Sequence, residues 1–162
     1  MRWLAHLFDL GRARRRFPPR VLDAIQQAIA EGESSHLGEI VFAVEGSLPL
    51  GHLLRRGGVR KRAEEVFTRL RVWDTEANTG VLVHVLLAER MIEIVADRAV
   101  AAAIEAAEWR PVIALMRAHF IRGEYQDGAL AGVAAISELL ARHFPAAGRA
   151  NPDELGDRPV FP

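Results

Sequence analysis

The sequence predicts one α/β domain, a small mixed β-sheet flanked by helices on both faces (an α/β/α sandwich), with a basic amphipathic arm at its N-terminus. Three observations carry that prediction. The runs GEIVFAV and VLVHVLL are almost continuously apolar and partly β-branched, the pattern of strands covered on both faces. Other stretches repeat their apolar residues at helical spacing, separated by glycine and proline. A length of 162 residues suits a single domain and can bury a core without disulfides or metals.

The elements follow in chain order. Residues 1–17 form the arm, and Pro18-Pro19 closes it, both prolines suiting the first turn of a helix, where the missing N–H costs nothing. Val21, Ile25, Ala28 and Ile29 then mark one helical stripe until EGESSHLG interrupts it. GEIVFAVEG is the first strand. SLPLGHLLRRGG, punctuated by Pro49, Gly51 and Gly57-Gly58, is an excursion that serves as a lid or simply as a loop. Val59, Ala63, Val66, Phe67 and Leu70 set an amphipathic helix whose other face carries Arg60, Lys61, Arg62, Glu64 and Glu65. After the loop DTEANTG, VLVHVLL and MIEIVA are joined through Ala88-Glu89-Arg90 and so pair as an antiparallel hairpin.

The last third is helical. One stripe runs through Trp109, Ile113, Met116 and Phe120, another through Leu130, Val133, Ser137, Leu140 and Phe144, with a break at Gly123. Pro111 belongs in a first turn or at a kink, since further inside a helix it loses a hydrogen bond and clashes at about 3 kcal/mol. Residues 146–162 mix proline, glycine and charge without period and read as a tail, leaving 18–145 as the domain body.

Composition narrows the chemistry. There is no cysteine, which removes disulfides, thiolate nucleophiles and Cys-based metal sites. Basic and acidic residues number 21 each, so no overall field favours nucleic acid or acidic substrates. The charge is unevenly spread: residues 1–20 hold six arginines against Asp9, and the remaining fifteen basic residues face twenty acidic ones. The most apolar stretch, GVLVHVLLA, is about half the roughly 20 residues of a membrane span. In the N-terminal segment the arginines follow the apolar part, the wrong order for a secretory signal. A cytoplasmic protein is expected, peripheral to the inner membrane if the arm attaches there.

GEIVFAV, the helix ending FTRLRVWDTEANTGVLV, the hairpin ending IEIVADR, and FIRGEYQDGALAGV before the last helix occur in an order and spacing that resemble the TPM domain. That module is shared by bacterial membrane-anchored proteins and a thylakoid-lumen acid-phosphatase-like protein involved in photosystem II repair. The resemblance covers about residues 20–145 and implies a small mixed sheet between helices. Two departures fall near the polar loop: Asn78-Thr79-Gly80 stands where many relatives have two asparagines before the glycine, and Ala99 where relatives often have glycine.

Asp74, Glu76 and Asn78 alternate oxygen-bearing side chains before Gly80, and hard cations take several oxygen ligands on a flexible turn. The loop is not an EF-hand, because its glycine comes seventh and its twelfth position is Val85. Some TPM relatives bind calcium or another divalent metal around this loop, so the resemblance implies a cation on Asp74, Glu76 and Asn78, which Asp97 joins if its carboxylate meets the loop. The same residues also suit a solvated turn in which Asp74 or Asn78 caps backbone amides. Asp97 and Arg98 end the third strand, where open α/β sheets offer a crevice. Asp97 there either N-caps the Ala-rich segment 99–104 or joins the Asp74 loop.

The six histidines make no paired ligand motif, and His84 is expected at an edge or interface rather than on a metal. No nucleophile elbow or glycine loop with the spacing of a nucleotide site is present, so no organic cofactor is expected, and Gly57-Gly58 among Arg55, Arg56 and Arg60 is either a phosphate holder or, more commonly for such a segment, a flexible basic loop. In the arm, Trp3, Leu4, Leu7 and Phe8 share a helical face followed by Arg12, Arg14, Arg15 and Arg16. Such a segment either lies on an anionic membrane surface or docks on the protein itself or a partner, including a membrane-bound TPM relative. Nucleic acid is not expected, for want of interleaved aromatics. Two functions result. One is a binding or accessory module with a divalent-cation site. The other, from the resemblance, is a metal-assisted acid phosphatase in which Asp74, Glu76 and Asp97 hold metal or water and Arg98 holds phosphate.

Overall fold

A computed structural model describes residues 11–53 and 56–162 of the protein. A helical segment at residues 11–16 (α1) leads into α2 (Pro19–Glu33), β1 (Glu39–Glu45), α3 (Leu50–Leu53), α4 (Gly58–Arg69), β2 (Gly80–Leu86), β3 (Met91–Ala96), α5 (Arg98–Ala103), α6 (Ala106–Ile121) and α7 (Tyr125–His143). The sheet has the order β1-β2-β3 and is mixed. β1 and β2 are parallel, from Glu39 opposite Gly80 to Glu45 opposite Leu86, and β2 and β3 are antiparallel, from Val81 opposite Ala96 to Leu86 opposite Met91.

Strand alternation divides the core in two. Ile40, Phe42, Val44, Val81, Val83, Val85, Ile92 and Ile94 face the layer of α2, α6 and α7. Val41, Ala43, Leu82 and Val95 face Ala63 and Val66 of α4. This two-sided burial is the α/β/α arrangement expected from the apolar strands. Gly128 and Gly132 let α7 approach α6 closely, since a Cβ at either would run into Phe120 or Met116.

Three expectations change. The described part of the arm belongs to the core: Ala13 and Phe17 are buried, and Phe17 meets Phe42, Phe120 and Tyr125 at centroid distances of 6.2, 6.3 and 5.9 Å. Trp3, Leu4, Leu7 and Phe8 lie outside the described residues. Pro111 sits in the second turn of α6 with its ring exposed; the N–H it lacks would have served the carbonyl of exposed Ala107, which water can satisfy. Residues 146–162 are irregular but fastened along β1. Val160 donates to Phe42 O (2.9 Å) and accepts from Val44 N (2.9 Å), and Asn151 Nδ2 donates to Gly38 O (3.2 Å). A free sheet edge carries unpaired N–H and C=O groups, and this strap covers the outer edge of β1.

Candidate functional site

The hairpin brings the two ends of the predicted site together. Asp97 N donates to Gly80 O (2.8 Å) and Ala99 N to Asn78 O (3.1 Å), tying the loop before β2 to the start of α5. Gly80 has no room for a side chain, because a Cβ would strike the Val72 carbonyl. Inside the loop, Thr79 N donates to Thr75 Oγ1 (3.0 Å), Thr79 Oγ1 donates to Leu37 O (2.8 Å), and Asn78 takes a left-handed φ of 55°, which asparagine tolerates better than most residues.

Each predicted residue can now be placed. Asp97, 6% exposed, caps α5 by accepting from Arg98 N (2.7 Å), and its Oδ2 is buried without a hydrogen-bond partner. Arg98 reaches back so that Nη2 donates to Asn78 Oδ1 (2.6 Å). Asp74 does not join them. Its Oδ2 accepts from Arg71 Nη2 (2.6 Å), and that guanidinium also lies over the Trp73 ring at 5.6 Å. Glu76 is exposed, and its N–H donates to Glu154 Oε2 of the strap (3.0 Å). Among the described residues no three carboxylate or imidazole side chains converge as a metal site. The donors are oxygens, as a hard cation needs, but those of Asp74 and Asn78 are taken by guanidinium groups.

The direction of β3 also corrects the crevice argument. Asp97 is at the carboxyl end of β3, yet β3 runs against β2, so the Asp74–Asp97 edge lies at the amino ends of the parallel pair. The carboxyl ends carry a different polar group. His84, expected at an edge or interface, is fully buried on the central strand, with Nε2 donating to Glu45 Oε2 (2.8 Å). Glu45 also accepts from Arg62 Nε (3.0 and 3.1 Å) and Nη2 (2.5 Å). Arg62 continues to Glu65 (3.3 Å), whose other oxygen lies 2.9 Å from His52 Nε2. Burial pushes the Glu45 carboxyl up, but the bonds and charges of His84 and Arg62 outweigh it and hold it below the ordinary range. A cavity of about 260 Å³ opens here, with Glu45, Arg62, Arg69 and Phe161 in its wall.

Beside the amino end lies a group of carboxyls that sequence reading passed over. Glu33 accepts from Ile40 N (2.8 Å), and Glu39 Oε2 accepts from Glu154 N (3.1 Å) and Leu155 N (3.3 Å). Glu39 Oε1 and Asp157 Oδ1 are buried without partners. Burial, reinforced by the charges of Glu39, Asp157 and Asp153, raises Glu33 to about 9. Burial likewise raises Glu39 to about 7, against the lowering effect of its two backbone bonds, and Asp157 moves upward for the same first reason. The only sequence signals were a glutamate at each end of an apolar strand and a histidine inside another.

The fold and these sites define a small α/β/α protein with a polar loop edge at one end of its sheet and a buried ionic network at the other. The chain belongs to the TPM domain family, whose model matches residues 17–139. Its fold is similar to the NMR structure of the BA42 protein from the psychrophilic bacterium Bizionia argentinensis, with a TM-score of 0.76 and 23% identity over 88% of this chain and 93% of that one. No functionally curated protein matches it. No helix among the described residues is long and apolar enough to cross a membrane.

Proposed function

We propose that the protein is a TPM-domain binding module whose working edge is the Asp74–Gly80 loop with Asp97 and Arg98, and that this edge takes calcium or another divalent cation. One observation carries the reading: Arg98 is seated on Asn78 Oδ1 at 2.6 Å beside the unpartnered, buried Oδ2 of Asp97. A guanidinium thus stands where oxygen donors gather. Arg98 and Arg71 are 84% and 67% exposed, and exposed ion pairs contribute at most about 1 kcal/mol. A divalent cation can therefore displace them cheaply, taking Asp74, Asn78 and Asp97 with Glu76 at the rim.

A binding module is favoured over a hydrolase because phosphate hydrolysis needs a denser ligand set than these dispersed carboxylates, and neither Asp74–Gly80 nor Asp97-Arg98 contains a histidine or cysteine nucleophile. Residues 1–17 add an accessory contact to an anionic membrane surface or to a membrane-bound relative, with Arg12, Arg14, Arg15 and Arg16 exposed on the described part.

The test is calorimetric titration of calcium, magnesium and manganese into the full chain and into Arg98→Gln, Arg71→Gln and Asp97→Asn. Cation affinity should rise in the two arginine variants and fall in Asp97→Asn. Absence of binding in all of them sinks the cation reading. Hydrolysis of a generic phosphate monoester that is lost in Asp97→Asn with the fold intact would replace the module by a phosphatase.

A further inference from the structure

α6 is apolar nearly all round, although only one side faces the core. Trp109, Val112, Met116 and Phe120 are buried on the inner side. The outer side exposes Pro111, Ala114 and Ala118 together with Leu115 (40%) and Ile121 (57%), two of the three exposed large hydrophobics among the described residues. Ile113, Ala114, Ala118 and Ile121 line one open, shallow groove with Arg110 and Arg117. Neither arginine has a hydrogen bond or ion pair among the described residues. No carboxylate lies within α6 after Glu108, and beyond it Glu124 is engaged by Arg122 (2.8 Å) and His119 (2.7 Å). Past the helix end, Arg15, Arg16 and Arg20 gather around the 123–127 turn.

We infer that this outer face of α6 is a docking surface for an anionic phospholipid bilayer, with Leu115 and Ile121 entering the interface and Arg110 and Arg117 meeting the headgroups. Protruding apolar side chains flanked by unpaired arginines are the composition of a helix that lies in the plane of a membrane interface. A second copy of the chain fits poorly, since two-fold pairing across this face would set arginines against arginines without an intervening carboxylate. The surface shares no residue with the cation edge or with residues 1–10.

The experiment is co-sedimentation of the full chain with vesicles of phosphatidylglycerol mixed into phosphatidylcholine, against phosphatidylcholine alone. The variants are Leu115→Asp/Ile121→Asp, Arg110→Gln/Arg117→Gln and, on the arm, Trp3→Glu/Phe8→Glu. All four α6 positions are solvent-exposed or line an open groove, so the substitutions leave the core intact. The wild type should prefer anionic vesicles, each lost arginine should weaken partition roughly five-fold, and the aspartate pair should weaken it at least about ten-fold. Equal partition to both vesicles, or loss confined to the arm variant, overturns the proposal; the latter leaves the arm reading standing. Self-association that Ile121→Asp abolishes, seen by analytical ultracentrifugation, would assign the face to a second copy instead.

Discussion

Glu39 and Glu45 stand at the two ends of one strand, the first buried and the second with its side chain 10% exposed, and their carboxyls are pushed in opposite directions. At the amino end Glu39 meets backbone N–H groups on one oxygen and other carboxyls around it, and burial raises it to about 7. At the carboxyl end Glu45 meets Arg62 and His84, which hold it ionised despite a comparable loss of water. Burial sets the size of the penalty, and the partner decides which charge state survives it. The carboxyl end is consequently a closed circuit of matched groups. The amino end keeps spare acceptors on Glu39, Asp97 and Asp157 and arginines that are largely exposed, and it is the end proposed above to take a cation.

Breaking the closed circuit should have the largest effect. Arg62→Met leaves Glu45 buried beside His84 alone, and removing one partner of a buried pair costs about 3–5 kcal/mol. Urea unfolding should show that loss. A change below about 1 kcal/mol would mean the network does not hold α4 to the sheet.

The amino end should show itself in the pH dependence of stability. Glu33 and Glu39 keep protons in the folded chain at pH values where the unfolded chain has released them, so the folded state binds more protons. Their stabilisation is complete below the ordinary value of 4.5 and is lost as pH rises through about 7 and about 9. Buried His36 works the other way. Loss of water lowers it to about 4, so stability is lost as pH falls from 6.5 towards that value. The windows overlap between pH 4.5 and 6.5, where two carboxyls outweigh one imidazole, so the contribution of these groups should be greatest near pH 4.5 and decline towards pH 9, and Glu33→Gln/Glu39→Gln should flatten that decline. A flat profile in the wild type would show that these carboxyls ionise freely.

Smaller effects are expected in the loop. Asn78→Ala should cost about 1–2 kcal/mol, because alanine is strained at φ 55° and the bond to Arg98 is lost, whereas Asn78→Gly should recover the backbone part. Arg98→Ala should change stability by less than about 0.5 kcal/mol, as its side chain is 84% exposed. Thermal unfolding of the three variants gives the ranking, and an Arg98→Ala loss equal to that of Asn78→Ala would make the exposed pair a structural clasp.

What was legible in the sequence was local. Val21, Ile25 and Ile29 announce α2 by spacing, VLVHVLL and MIEIVA announce the hairpin by their short connection, and Asp97 announces a cap because its partner is the next residue. The buried polar partnerships were not legible, since their partners are distant in the chain. Arg62 lies 17 residues and His84 39 residues from Glu45, and Arg62 sits on a helix face that reads as solvated. The strap contains no period at all, so nothing in NPDELGDRPVF marks Glu154 and Leu155 as donors to Glu39. At the loop the unread partner is nearer: Arg71, three residues back, pairs with Asp74.

The most direct test of an exchanging amino end and a closed carboxyl end is NMR of the full chain during calcium titration, following both ends of the sheet. Resonances of Asp74–Gly80 and Asp97–Ala99 should move together along one binding curve, while those of Glu45, Arg62 and His84 stay still. No movement at the loop, or movement at the Glu45 end alone, would contradict the assignment of the binding edge.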